Sequence, residues 1–246
     1  MLAADPSKRW TETFVLLYTP IWIAVICVVM ATRAFAHWGD LGHMVLGVGL
    51  VLPLWIVPLV APAAADRGRP IGERHIWRFN LWIGLYSLLQ VYFGSALFFD
   101  VLHMEYHFPV TWILNRTPLF LYFMTITYFS TYYVVMSVLW RRVAHFPVAV
   151  RALVLVVLGY AVAFAETAGM ANEWLRGYFS YQDKWFVLIW GSACYGTVFV
   201  LSLPFVFRLD ENPSAPRPSL PRLGGEVLAV NMGALCAYEV WAALLR

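Results

Sequence analysis

Seven apolar runs of about twenty residues each divide this chain, with only short polar stretches between them. A run of that length spans the hydrocarbon core of a bilayer as a helix, about 30 Å at 1.5 Å per residue. The runs fall roughly at 13–32, 43–62, 77–99, 117–140, 149–170, 185–207 and 226–245. Backbone amides have no partner in lipid except one another, so each run must be helical. The reading is an all-α, polytopic transmembrane bundle of about seven helices, with residues 1–246 forming a single transmembrane domain. Charged residues make up 13% of the chain, about half the share of a soluble domain. Pro20, Pro53, Pro58 and Pro204 fall inside spans and should kink them. The proline-rich stretch from Arg208 to Gly225 reads as an extended loop.

Lys8 and Arg9 followed by an apolar run and Ala34-Phe35-Ala36 resemble a signal peptide, but the run exceeds the roughly 7–15 residues of a signal core. It is read as a retained first helix. Lysine and arginine counts set the orientation. Lys8, Arg9, Arg67, Arg69, Arg74, Arg78, Arg141, Arg142, Arg151, Arg208, Arg217 and Arg222 fall on one side. Arg33, Arg116, Arg176, Lys184 and Arg246 fall on the other. The N-terminus is therefore expected in the cytoplasm and the C-terminus outside. The membrane is the inner membrane of a bacterium or, in a eukaryote, the endoplasmic reticulum.

Several chemistries are excluded by residue placement. The two lysines, Lys8 and Lys184, lie at span ends, which rules out a retinal Schiff base. His37, His43, His75, His103, His107 and His145 lie in loops or at span ends, unlike the facing histidines of a haem bundle. His103 and His107 form one pair where a membrane di-iron site needs several histidine boxes. Asp100, His103 and His107 lack a strong third zinc ligand. A net charge of +3 without a basic stripe gives no nucleic-acid surface. With no strands there is no strand-linked phosphate loop, and neither cofactor nor metal is expected. Cys27, Cys194 and Cys236 all lie in apolar runs and read as buried thiols.

Ionisable groups inside a bilayer are costly and so mark function. Glu166 has no charged residue among the fourteen before it, and Glu239 lies in a similar apolar setting. Counting from the cytoplasmic ends, both reach the outer half of the core. Asp100, His103, Glu105 and His107 follow the third span on the same side, so the groups are expected to share one pocket. Glu166 also shares a helix face with Gly159, Ala163 and Gly169, which leaves room beside the acid. Plainer readings exist: small residues for close helix packing, Glu239 as an interfacial acid, Glu166 as a structural hydrogen-bonded acid, and the Asp100–His107 stretch as a solvated loop. A carboxyl walled by apolar groups favours its neutral form and can act as a general acid, while aromatic faces stabilise a developing cation. These features suit a lipid or sterol isomerase, and a lipid-binding or scaffold protein nearly as well.

A set of short motifs narrows the choice. Asp5-Pro6-Ser7-Lys8-Arg9-Trp10-Thr11-Glu12 leads on to Leu17-Tyr18-Thr19-Pro20. Ala65-Asp66-Arg67-Gly68, Asn80-Leu81-Trp82-Ile83, Tyr106-His107-Phe108-Pro109 and Arg141-Arg142 follow in order. Glu166-Thr167 with Asn172, Phe207-Arg208-Leu209-Asp210-Glu211, and the spacing of Glu226 and Glu239 complete the series. Together they resemble the cycloeucalenol cycloisomerase family over nearly the whole chain. The resemblance implies a membrane-bound isomerase of sterol biosynthesis that opens a 9β,19-cyclopropane ring to a Δ8 sterol by acid/base proton transfer, without cofactor or metal. Its partners would be the bilayer and a membrane-borne sterol. Plant members carry histidines in the fourth helix. Here Phe108 to Ala144 has none, and Thr125, Tyr128, Thr131, Tyr132 and Tyr133 supply the polarity instead. The alanine-, valine- and arginine-rich composition points to a bacterial relative.

Glu166 is assigned as the catalytic carboxyl, and Glu239 and Asp100 as base or relay. Tyr18, Trp22, Tyr122, Tyr128 and Asn172 are assigned to substrate binding. The motif residues at the opposite end, among them Lys8, Asp66, Asp210 and Glu211, read as structural. The alternatives are a sterol double-bond isomerase and a non-catalytic sterol-binding or transport protein.

Overall fold

A computed structural model describes residues 1–245. Arg246, counted in the charge tally, lies outside the described residues. Seven helices are long and apolar enough to cross a membrane: α1 (Pro6–Ala31), α2 (Asp40–Val60), α3 (His75–Asp100), α4 (Leu119–Arg142), α5 (Val148–Met170), α6 (Lys184–Arg208) and α7 (Leu220–Leu245). The molecule is a polytopic transmembrane helical bundle with the helix number read from the sequence. α4 is the most enclosed helix and α5 the least, so α4 runs through the middle of the bundle and α5 lies on its outside.

The expectation of no strands needs correcting. Short ribbons cover the end of the bundle away from the N-terminus. Strand β1 (Met104–Tyr106) pairs antiparallel with β4 (Phe179–Tyr181), and β2 (Ile113–Leu114) pairs with β3 (Thr117–Pro118). The β2–β3 turn, Asn115-Arg116, has φ of 47° and 66°, the positive values that a tight two-residue hairpin demands. The turn is anchored where Arg116 meets Asp100 at 2.7 Å. These segments are too short, and too dominated by aromatic packing, to show a period-two pattern in the sequence.

A network of buried charges holds the other end. Asp5 caps α1 by accepting from the Lys8 amide at 2.9 Å. The Lys8 Nζ lies 2.7 Å from Glu211 and donates to the Leu209 carbonyl at 2.8 Å. Arg141, at the end of α4, bonds both Glu12 at 2.7 Å and Glu211 at 2.8 Å. Beside it, His75 and Arg78 both reach Asp210, and Ser7 donates to Asp66 at 2.8 Å. Burial opposes ionisation of Asp210, but the His75 hydrogen bond and the charges of His75, Arg78 and Arg217 outweigh it and hold its carboxyl below the usual range. Glu211 is lowered in the same way, with Arg141 and Lys8 outweighing burial. The N-terminus, the 61–74 loop, the end of α4 and the loop after α6 are thereby tied together at one end.

The small residues of α5 divide between two roles. A Cβ on Gly159 would lie 2.8 Å from the Gly196 carbonyl oxygen, and one on Gly196 would lie 3.1 Å from Gly159. These glycines let α5 and α6 touch backbone to backbone. Gly169, ten residues further on, has open space beside it. Gly159→Leu should therefore force the helices apart and cost about 1–3 kcal/mol. Gly233→Leu on α7, where nothing lies within 4 Å, is the matched control. In detergent Gly159→Leu should melt well below wild type and Gly233→Leu close to it; equal melting of the two variants would contradict the close-packing account.

Candidate active site

A cavity of about 500 Å³ lies within the half of the bundle nearer the ribbons. Its size falls within the range of about 300–1,000 Å³ common for small-molecule sites. α1, α3, α4, α5, α6 and α7 all contribute, with β1, β4 and the start of β3 at its far end. The wall is apolar and strongly aromatic: Trp22, Phe120, Tyr128, Phe129, Tyr132 and Phe179 are among the rings that line it.

Glu166 is the one Asp, Glu, His, Lys or Arg side chain on the wall among the described residues. It lies four residues before the end of α5, on the helix face turned inward to the bundle. Its partner is Tyr195 of α6, whose hydroxyl donates to Glu166 Oε2 at 2.8 Å. The Gly159–Gly196 contact explains the meeting. It presses α5 against α6 two turns from Glu166 and one residue from Tyr195, and the two side chains then share the same interface. Glu166 is half-buried, and what it faces is the cavity. Tyr106, Tyr181 and Tyr238 complete a group of tyrosines around the same space.

Backbone irregularities shape this wall. α3 contains a π-helical turn at Gln90–Gly94, and α6 one at Val187–Gly191. Such turns recur at functional sites because they redirect side chains. Here Gln90 and Val187 reach the cavity. Gln90 is braced by donating to Asn231 of α7 at 2.6 Å. On the opposite wall the Trp22 indole donates to Thr131 at 3.0 Å, and Thr19 lies 3.0 Å from the same hydroxyl. α1 and α4 are joined there by a small polar cluster inside the apolar layer.

The structure brings together some of the residues singled out from the sequence and separates others. Glu166, Trp22 and Tyr128 line the cavity, and Trp22 and Tyr128 pack ring to ring at 5.0 Å. Tyr18 is buried below it and gives its hydroxyl to the Leu50 carbonyl at 2.7 Å. Tyr122 points to the hairpin and donates to the Leu114 carbonyl at 2.9 Å. Asn172 caps the turn after α5, accepting from the Trp174 and Leu175 amides at 2.8 and 3.1 Å. Glu239 is exposed on the outer face of α7, whereas its neighbour Tyr238 is on the cavity wall. Asp100 is exposed and paired with Arg116. His103, Glu105 and His107 are also exposed, with His107 3.5 Å from Glu105 and bonded to Ser180 at 2.8 Å. The acids expected to share one pocket thus do not meet. Among the described residues no three His, Cys, Asp or Glu side chains gather as a metal-binding group. Tyr195, Tyr132, Tyr181 and Gln90 were not singled out as site residues. Their signal in the sequence is a polar atom in an otherwise apolar span, which many other tyrosines here share.

Fold and site together define a membrane-embedded protein with an apolar, aromatic cavity whose wall, among the described residues, carries one carboxyl. The chain is 30% identical over 253 aligned positions to cycloeucalenol cycloisomerase of Arabidopsis thaliana, in an alignment covering 99% of this chain and 89% of that protein. No family model matches the chain, and no solved structure matches it. The chain belongs to the cycloeucalenol cycloisomerase family and is an isomerase.

Proposed function

We propose that the protein opens the 9β,19-cyclopropane ring of a membrane-borne sterol to give a Δ8 sterol, with Glu166 as the proton donor. The observation that carries this reading is the placement of a single carboxyl on the wall of an apolar cavity of suitable size. The name of the Arabidopsis relative supports a cyclopropyl sterol as substrate.

The chemistry needs one proton delivered and one removed. The Glu166 carboxyl, in its protonated form, gives its proton to C19. The C9–C19 bond breaks, its electron pair becomes the new C19–H bond, and positive charge develops at C9. The C8–H electron pair then closes the C8=C9 double bond, and that proton leaves to a base. The sterol gains one hydrogen and loses one, so no oxidant, reductant or nucleotide enters the balance. Glu239 and Asp100 lie away from the cavity, so the Glu166 carboxylate formed in the first step is the base at hand for the second. Tyr195 holds one carboxylate oxygen in both steps. The faces of Tyr128, Tyr132 and Trp22 offer cation–π stabilisation to the intermediate.

Purified protein given a 9β,19-cyclopropyl sterol should form the Δ8 product. Glu166→Gln keeps the shape of the side chain and its contact with Tyr195. It should bind sterol but lose a factor of at least about 10²–10⁴ in rate. Glu239→Gln and Asp100→Asn should turn over near the wild-type rate. Near-normal turnover by Glu166→Gln would move the acid elsewhere, and turnover only of a sterol double-bond isomer would favour that alternative.

The proposed setting is a bacterial inner membrane, or the endoplasmic reticulum in a eukaryote, with the N-terminus in the cytoplasm. The charge asymmetry supports it. The network that ties the N-terminus to the loop after α6 keeps those two segments on one side, whichever it is. Reporter fusions at the N-terminus and within 210–222 should both report the cytoplasmic side; a fusion after residue 245 should report the opposite one. An outward N-terminus would overturn the orientation.

A further inference from the structure

We infer that the cavity is entered sideways from the bilayer, through a slot between α1 and α5 on which a flat, apolar membrane lipid docks before reaching Glu166. This rests on the reading of the substrate as a membrane-borne sterol.

Three observations carry it. First, α1 and α5 both pack on α4 without forming a packed interface with each other. The stripe of α4 between them, Leu121, Thr125, Tyr128 and Tyr132, is only half-buried although α4 is the most enclosed helix. Second, the rim residues belong to the cavity wall and to the outer surface at once. Ile23 and Cys27 on α1, and Ala165 and Gly169 on α5, all line the cavity and are all exposed. On α5 the rim is built of small residues, with open space beside Gly169, and Glu166 lies directly after Ala165.

Third, aromatic rings pack together at both ends of the cavity along the bundle. Towards the ribbons, Phe35, Phe108, Phe120 and Phe179 pack edge to face beneath the strands, with Phe108 5.1–5.3 Å from the other three rings. Towards the N-terminal end, Trp82, Tyr86, Tyr133 and Phe199 are fully buried and in mutual contact. The gap between α1 and α5 is edged by apolar and small side chains, so a ligand entering there would reach the acid without crossing water.

Cys27 allows a direct test. The expectation of three buried thiols holds for Cys194 alone: Cys27 is exposed on the rim, and Cys236 is exposed on α7 off the cavity wall, because both sit on helix faces turned away from the packed core. In nanodiscs, Cys236→Ala protein would be labelled at Cys27 with N-pyrenylmaleimide, the adduct confirmed by mass. Binding and release of a fluorescent sterol would then be followed. The label should slow association by about tenfold or more. Added after the sterol is loaded, it should slow release as well, because a blocked door traps what is inside. The same reagent on Cys27→Ala/Cys236→Ala protein should change neither rate from that variant's own untreated value.

Unchanged association in the labelled protein would overturn the slot while leaving the sterol reading intact. Label that expels loaded sterol would also overturn it, since that would place Cys27 inside the binding space and not at its door. Absence of any sterol binding by unlabelled protein would remove the substrate reading and the slot together.

Discussion

Moving a charged side chain to the middle of a spanning helix costs roughly 2.5–3.5 kcal/mol or more, and that cost sorts the polar residues of this chain by depth. At the N-terminal end Lys8, Glu12, Asp210, His75 and Arg78 are buried, Arg141 and Glu211 are half-buried, and each has a partner of opposite charge. Removing one partner from such a set leaves an uncompensated charge, which costs several kcal/mol. α1, α3, α4 and the loop after α6 are therefore held in one arrangement there. Glu166 is the exception: among the described residues no Lys, Arg or His shares its cavity wall, and the Tyr195 hydroxyl donates to it.

The bundle spends close packing unevenly. Gly159 and Gly196 bring α5 and α6 together, and Gly47 lets α2 approach the backbone of α4 at Phe120. The cavity lies nearer the ribbons, on the faces these contacts leave free. π-helical turns in α3 and α6 shift the register of their side chains, and the space left over becomes the cavity. Its surface offers aromatic rings and few hydrogen bonds. That surface suits a rigid hydrocarbon ligand and a positively charged intermediate better than it suits a polar substrate.

Much of this was legible in the sequence, for physical reasons that also explain the rest. Hydrophobic length sets the spans, and lipid leaves the backbone only the helix. Glu166 stands out because an isolated acid in an apolar run needs a reason to be there. Gly159 and Gly169 look alike in the sequence, yet one packs against Gly196 and the other opens onto the cavity. Depth can be counted along a helix, but which way a side chain faces depends on neighbours. Glu239 and Glu166 have similar expected depths, and one step along α7 separates the inward Tyr238 from the outward Glu239. Tyr18 and Tyr122 have the aromatic character of wall residues but spend their hydroxyls on the Leu50 and Leu114 carbonyls. The Glu166–Tyr195 pairing spans two helices and depends on the contact that brings them together, which no local pattern records.

The central claim is that a protein-borne, exchangeable proton opens the ring. It is tested most directly by a single turnover in deuterated water, with enzyme equilibrated in the solvent beforehand and in excess over a 9β,19-cyclopropyl sterol. Each product molecule should then carry one deuterium, located in the C19 methyl group, because the Glu166 carboxyl carries a solvent-derived deuteron when the substrate arrives. A Δ8 product with no deuterium at C19 would contradict the account, since ring opening would then have drawn its hydrogen from a source other than an exchangeable acid.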